Sequence, residues 1–312
     1  MKLKTLSIMF IIAIFILSGC TQEDDSGIKT KDPFIGGTEA VLISFLEDAP
    51  LPEVRAGGDF PFDVVVRLKN EGEHAIPKDE LTVTISGINA QEFNKEESEL
   101  VKSPEEDLDA RRKENSDIID SNPVFVEYQD FNRAEDFSGN TYTIRADVCY
   151  GYATEAVSTI CIKSNNLDDK EGVCTVNEDK QVHSSGAPVK MENMKETATA
   201  KNKVRFSFDI VHKGNGRIYK KDSDCGKEDR RANEDKVWVE VSTGLEGLEC
   251  TGLSGGTGNS GFATLYSGDK RITCTQTVDT TSDYEKTVEI TVEYEYEDNA
   301  ETSVTVLSAA GN

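Results

Sequence analysis

Histidine is scarce in this 312-residue chain: three copies, His74, His183 and His212, in no paired spacing. Histidine-dependent acid–base chemistry and histidine-rich metal sites therefore have few players. Basic charge is also thin, with 34 Lys and Arg against 58 Asp and Glu and a formal net charge of −24. That field repels polyanions and anionic headgroups, so nucleic-acid binding is disfavoured. No Asn-x-Ser/Thr acceptor occurs, and ordinary N-glycosylation is not expected. No two cysteines are separated by the short gaps that zinc chelation favours, and Trp238 is the only tryptophan. What the chain does have is 37% apolar and 29% charged residues, too hydrophobic for wholesale disorder and long enough for two ordinary domains.

Lys2 and Lys4 precede an apolar run from Leu6 to Leu17. Twelve residues make a helix about 18 Å long, short of the roughly 20 residues that cross a bilayer, so a signal peptide is expected rather than a membrane span. Leu17-Ser18-Gly19-Cys20 follows, with small residues that admit a peptidase just before a cysteine. This segment resembles the lipobox of secreted lipoproteins. The resemblance implies that residues 1–19 are removed and that Cys20 is lipidated to become the anchor. Residues 20–33, polar and acidic, then read as a solvated tether, and no second hydrophobic span follows.

With Cys20 set aside, six cysteines remain, at 149, 161, 174, 225, 250 and 274, enough for three disulfides in an oxidising compartment. Around Cys149 the even-numbered Ile144, Ala146, Val148, Tyr150 and Tyr152 are apolar or aromatic, as in a half-buried strand. A turn near Ala153 to Glu155, followed by Ile160 and Ile162 on the apolar parity, would fold a hairpin that brings Cys149 opposite Cys161. Cys250 and Cys274 flank a Gly-rich hairpin region, which leaves Cys174 for Cys225 by elimination.

Phe62 to Gly72 matches Phe206 to Gly216 at an offset of 144 residues, and Val148, Tyr150, Tyr152, Ile160 and Ile162 land on Val292, Tyr294, Tyr296, Val304 and Val306 at the same offset. Asp79 to Ile85 resembles Asp235 to Val241 at an offset of 156, so the second copy holds twelve extra residues, in an insertion carrying Cys225. The pattern predicts a tandem duplication of a β module about 130 residues long, with its boundary in the turn-rich stretch 165–172. Period-two alternation bounded by Gly, Asn, Asp and Pro predicts an all-β fold, two tandem immunoglobulin-like β-sandwich domains at 34–165 and 172–312. Residues 95–120 depart from this pattern as a charged surface excursion. The strand and turn from Phe62 to Gly72 resemble the cell-adhesion-related, CARDB-like branch of immunoglobulin-like folds, which implies a non-enzymatic extracellular module. The whole chain is similar to exported lipoproteins with duplicated β modules, a resemblance that supplies no activity.

Gly252 to Gly256 fits the G-x-S-x-G nucleophile elbow around Ser254, but the glycine-rich residues after it cannot start the helix that an elbow requires. A flexible hairpin loop is expected there and no catalytic residue is assigned. Asp222-Ser223-Asp224-Cys225-Gly226 hints at a calcium loop, yet the twelfth position is Asn233 rather than Glu, so a disulfide-tethered solvated loop is expected and no metal. Trp238 points opposite to Val237, Val239 and Val241. Either its ring marks a contact surface or the insertion from Lys220 to Asn233 folds over it. Tyr150, Tyr152, Tyr294 and Tyr296 fall on the core parity, and Glu289, Glu293, Glu295 and Glu297 read as a solvated row.

The expectation is a membrane-anchored extracytoplasmic structural or binding protein, without cofactor or enzymatic activity, whose partner is a protein or a glycan. Two alternatives are a filament subunit that donates a strand such as Thr38 to Leu46 to a neighbour and a solute- or glycan-binding lipoprotein.

Overall fold

A computed structural model describes residues 32–57, 61–115, 117–133, 139–168 and 172–308. The expected signal peptide, the expected lipidation site Cys20 and the expected tether up to Lys31 lie outside the described residues. The chain is all-β. Its strands are, in order, β1 (Val41–Phe45), β2 (Glu53–Arg55), β3 (Phe62–Asn70), β4 (Leu81–Ser86), β5 (Val101–Lys102), β6 (Arg112–Glu114), β7 (Asp117–Ile119), β8 (Val124–Phe131) and β9 (Asn140–Ile162). There follow β10 (Asp179–Lys180), β11 (His183–Ser184), β12 (Val189–Ala200), β13 (Lys203–His212), β14 (Arg217–Tyr219) and β15 (Lys236–Ser242). The last are β16 (Leu248–Thr251), β17 (Ser260–Thr264), β18 (Asp269–Thr277) and β19 (Tyr284–Leu307).

Two strands dominate. Every even-numbered residue of β9 from Ile144 to Ile162 is buried, and β19 buries its even-numbered residues from Val288 to Tyr296. With no Gly-Asn, Asp-Gly or Pro signal to turn the chain, β9 and β19 pair antiparallel from Tyr284↔Ile162 to Val306↔Asn140. They form the middle of a sheet ordered β17-β15-β19-β9-β4-β5. On its two flanks β4 runs along β9 from Leu81↔Tyr150 to Ser86↔Arg145, and β15 runs along β19 from Trp238↔Glu293 to Ser242↔Glu289. A sheet β1-β3-β8 and another, β10-β12-β13-β18-β16, complete the layers. Their inward residues interleave with the long sheet in a sandwich core that includes Leu68, Phe206, Phe208, Val83 and Val239. The Tyr128 hydroxyl of β8 spans the layers to donate to the Val83 carbonyl of β4 at 2.8 Å.

The continuity of β9 overturns the expected hairpin and with it the Cys149–Cys161 bridge. Twelve residues apart on one straight strand, the two sulfurs are about 40 Å from each other. Cys149 instead bonds Cys225, with Cα atoms 6.0 Å apart, and Cys161 bonds Cys174 at 5.6 Å, closing the loop around the 165–172 stretch. The expected Cys174–Cys225 bridge falls with the first. Cys250 and Cys274 do pair, as direct cross-strand partners on β16 and β18. The excursion at 95–120 holds a 3-10 turn at Glu97–Leu100, the short strand β5 and the β6–β7 hairpin.

At the end of β3, Gly72 lies under Tyr152: a Cβ there would come within 2.0 Å of the Tyr152 hydroxyl. Gly216 is placed likewise against Tyr296, whose ring would meet a Cβ at 2.6 Å. The glycines that end each matched strand are thus seats for buried tyrosines, and Tyr150, Tyr152, Tyr294 and Tyr296 are all core residues.

Candidate functional site

At the middle of the long ladder Gly151 faces Glu295, and the insertion after β14 crosses the sheet surface there. Asp222, Asp224 and Cys225 all hold positive φ, 60°, 49° and 50°, which turns successive backbone N–H groups to one side. The N–H groups of Ser223 and Asp224 donate to one Glu295 oxygen at 2.9 and 3.2 Å, and the Cys225 N–H and Ser223 hydroxyl donate to the other at 2.6 and 3.0 Å. The loop is therefore an anion nest filled by a carboxylate from the protein itself. Its backbone donors converge on that carboxylate. Although Cys149 and Cys225 sulfurs and the Glu295 carboxylate lie within 4.8 Å of one another, the two sulfurs are spent in the disulfide.

The Glu row of β19 is not simply solvated. Glu293 pairs with Lys221 at 2.6 Å, Glu295 fills the nest, and Glu297 accepts from the Tyr219 hydroxyl at 3.2 Å and faces Arg217 at 3.6 Å. These carboxylates clamp the insertion in place, and only Glu289 of the four remains fully exposed. The sequence signal for this is the basic set Arg217, Lys220 and Lys221 at the approach to the insertion, opposite in charge to the acidic row. Trp238 is half-buried, its ring edge-on to Phe262 with centroids 4.8 Å apart. Lys221 lies over the indole at 5.1 Å and Lys220 over Phe262 at 5.1 Å, so the insertion covers the tryptophan.

Between the insertion and the loop before β4 lies a cleft of about 400 Å³, whose walls include His74, Asp79, Glu80, Asp222, Asp224 and Glu293. Lys221 neutralises Glu293, while Asp79, Glu80, Asp222 and Asp224 have no cationic partner among the described residues. Gly151 forms part of the floor, where a Cβ would crowd the Glu80 carboxylate at 2.8 Å. Burial lowers the His74 pKa against the opposing pull of Glu155, Glu80 and Glu293, so its imidazole is neutral at neutral pH and adds no positive charge. The cleft attracts cations and repels anions.

The remaining sequence candidates are scattered. The Ser254 hydroxyl donates to the Phe262 carbonyl at 3.2 Å. His183 Nδ1 lies 3.1 Å from the Asp32 carboxylate, and His212 Nε2 lies 3.1 Å from the Tyr296 hydroxyl. Neither histidine is among the residues that line the cleft. Within Thr38 to Leu46, Val41–Phe45 pairs with β3 of its own chain from Val41↔Asn70 to Phe45↔Val66. No helix among the described residues is long and apolar enough to cross a membrane, and three disulfides fit an oxidising compartment outside the cytoplasm. No protein-family model matches the chain, and no curated protein is significantly similar to it.

Proposed function

We propose that the protein is a lipid-anchored extracytoplasmic module, held to the membrane through Cys20, that presents two fused immunoglobulin-like β-sandwiches as a structural or binding surface and performs no chemistry. The observation that carries this reading is an all-β body whose six cysteines, after the lipobox cysteine, are all spent in disulfides. A rigid, acidic body on a tether suits presentation to a partner. The tandem duplication is supported by register. Thr82↔Cys149 and Ser86↔Arg145 map onto Trp238↔Glu293 and Ser242↔Glu289 at the sequence offsets of 156 and 144. Under that mapping Gly151 and Glu295 are each other's counterparts, and they face each other at the centre of the β9–β19 ladder. A glycan platform is less well supported, since the four tyrosines are buried and Lys221 covers Trp238.

The test is membrane partition and mass analysis of the mature N-terminus. Wild-type protein should begin at a diacylated Cys20 and sediment with membranes, and Cys20→Ala should release it. An unmodified mature N-terminus, or membrane association unchanged by Cys20→Ala, would refute the anchor.

A further inference from the structure

β18 stands beside β13 as β8 stands beside β3, and β18 carries β16 on its far edge, whereas among the described residues β8 is the last strand of its sheet. The backbone groups on that open edge can be assigned. Val65 of β3 accepts from the Leu46 N–H and donates to the Ala49 carbonyl, so the odd residues of β3 bond toward β1. Its even residues, Val64, Val66 and Leu68, then bond to Tyr128, Val126 and Val124, their partners on β8. Phe125, Glu127 and Gln129 are left with their N–H and C=O groups pointing away from the sheet. Lys102 agrees with this assignment: its ammonium reaches the Glu127 carbonyl at 2.7 Å from the far side.

Beyond that edge runs a groove of about 490 Å³ between β8 and the segment following β5, lined by Lys102, Glu105, Glu106, Phe125, Glu127 and Gln129. Glu105, Glu106 and Glu127 have no cationic partner among the described residues. Phe125 is 41% exposed beside them. From Phe125 to Gln129 the edge is about 14 Å long, room for a strand of some five residues.

We propose that this groove binds an extended basic segment of a partner protein, which adds to β8 as a further strand. Main-chain hydrogen bonds to Phe125, to the Glu127 N–H and to Gln129 set the register, the Glu127 carbonyl being held already by Lys102. The partner's alternate side chains carry lysine or arginine beside Glu127 and toward Glu105 and Glu106, and apolar residues on the other parity, next to Val124, Val126 and Tyr128. A second copy of β8 is a poorer occupant. Antiparallel self-pairing of Val124–Phe131 that sets Phe125 against Gln129 also sets Glu127 against Glu127, and like charges directly opposite are destabilising. The inference goes beyond the anchored-module reading, because a chain without lipid at Cys20 would bind the strand equally well.

The probe is the peptide acetyl-KVKVKVK-amide, added to the full chain and followed by fluorescence anisotropy and amide hydrogen exchange, with acetyl-EVEVEVE-amide as control. Binding of the basic peptide alone is expected, with new protection at the amides of Phe125, Glu127 and Gln129. Glu127→Pro removes an N–H that β3 does not use and should weaken binding at least tenfold. The double variant Glu105→Lys/Glu106→Lys, in an exposed segment, should weaken it about tenfold and keeps the test valid if the proline variant does not fold. No binding, equal binding of the acidic peptide, protection confined to other strands, or full affinity in the folded variants would each overturn the proposal.

Discussion

Glu196 offers a direct reading of stability against pH. A bulge at Asn193, where φ is 54°, shifts the β12–β13 register between Glu192 and Lys195 and inverts which parity faces inward. Met194 and Glu196 therefore point into the core in place of the odd residues. The Glu196 carboxylate is fully buried, accepts the Cys161 N–H at 3.1 and 3.0 Å, and lies 3.2 Å from the Lys180 ammonium, itself shared with Glu178. Desolvation dominates these partners and raises its pKa from 4.5 to about 7. The folded state thus holds this proton more tightly than the unfolded chain does. Between pH 4.5 and 7 the unfolded state binds fewer protons, so this group's contribution to stability falls as pH rises, by about 3 kcal/mol over the window. Glu196→Gln removes the titration while leaving Lys180 paired with Glu178. Urea unfolding of both proteins from pH 4 to pH 8 isolates the term, because the slopes of all other carboxylates cancel in the difference. The Gln variant should gain about 3 kcal/mol relative to wild type from the acid to the alkaline end of that range. A flat difference, or a variant that loses ground as pH rises, would refute the reasoning, the latter showing that the pair with Lys180 outweighs desolvation.

Other outcomes follow from the same geometry. Peptide mapping under non-reducing conditions should recover Cys149–Cys225, Cys161–Cys174 and Cys250–Cys274, and any fragment joining Cys149 to Cys161 would contradict a continuous β9. Replacing Cys149 and Cys225 by serine removes a cross-link between residues 76 apart and should cost up to about 4.5 kcal/mol, against about 3 for the Cys161–Cys174 loop, as read by denaturant midpoints. Glu295→Ala leaves the nest without its anion and should free the insertion, so that iodide quenching and the emission maximum of Trp238 report an exposed indole. An unchanged spectrum would mean that the disulfide alone holds the loop. Gly72→Ala drives a methyl into the Tyr152 hydroxyl and the Gly186 carbonyl and should destabilise by about 2–3 kcal/mol in thermal or urea unfolding.

The sequence pattern reveals strand faces better than strand ends, and β9 shows why. Apolar residues at even positions declare which face is inward whether the chain runs straight or folds back, so parity alone does not distinguish a 23-residue strand from a hairpin. Ala153-Thr154-Glu155 breaks the hydrophobic run without supplying any residue that favours positive φ, and the chain continues through it. Pairing Cys149 with Cys161 inherits that error, whereas Cys250 and Cys274, separated by a segment rich in glycine with positive φ at Gly252, Gly255 and Gly261, do come together. The 144-residue offset contained more than it declared. Antiparallel neighbours related by a constant offset have one position where counterparts meet, and here it is Gly151 against Glu295, the floor of the acidic cleft. The nest was illegible because alternating Asp, Ser and Asp look like cation ligands until the backbone φ values turn their N–H groups inward. Only then does the carboxylate of Glu295, 70 residues further along the chain, become the charge that the loop is built to hold.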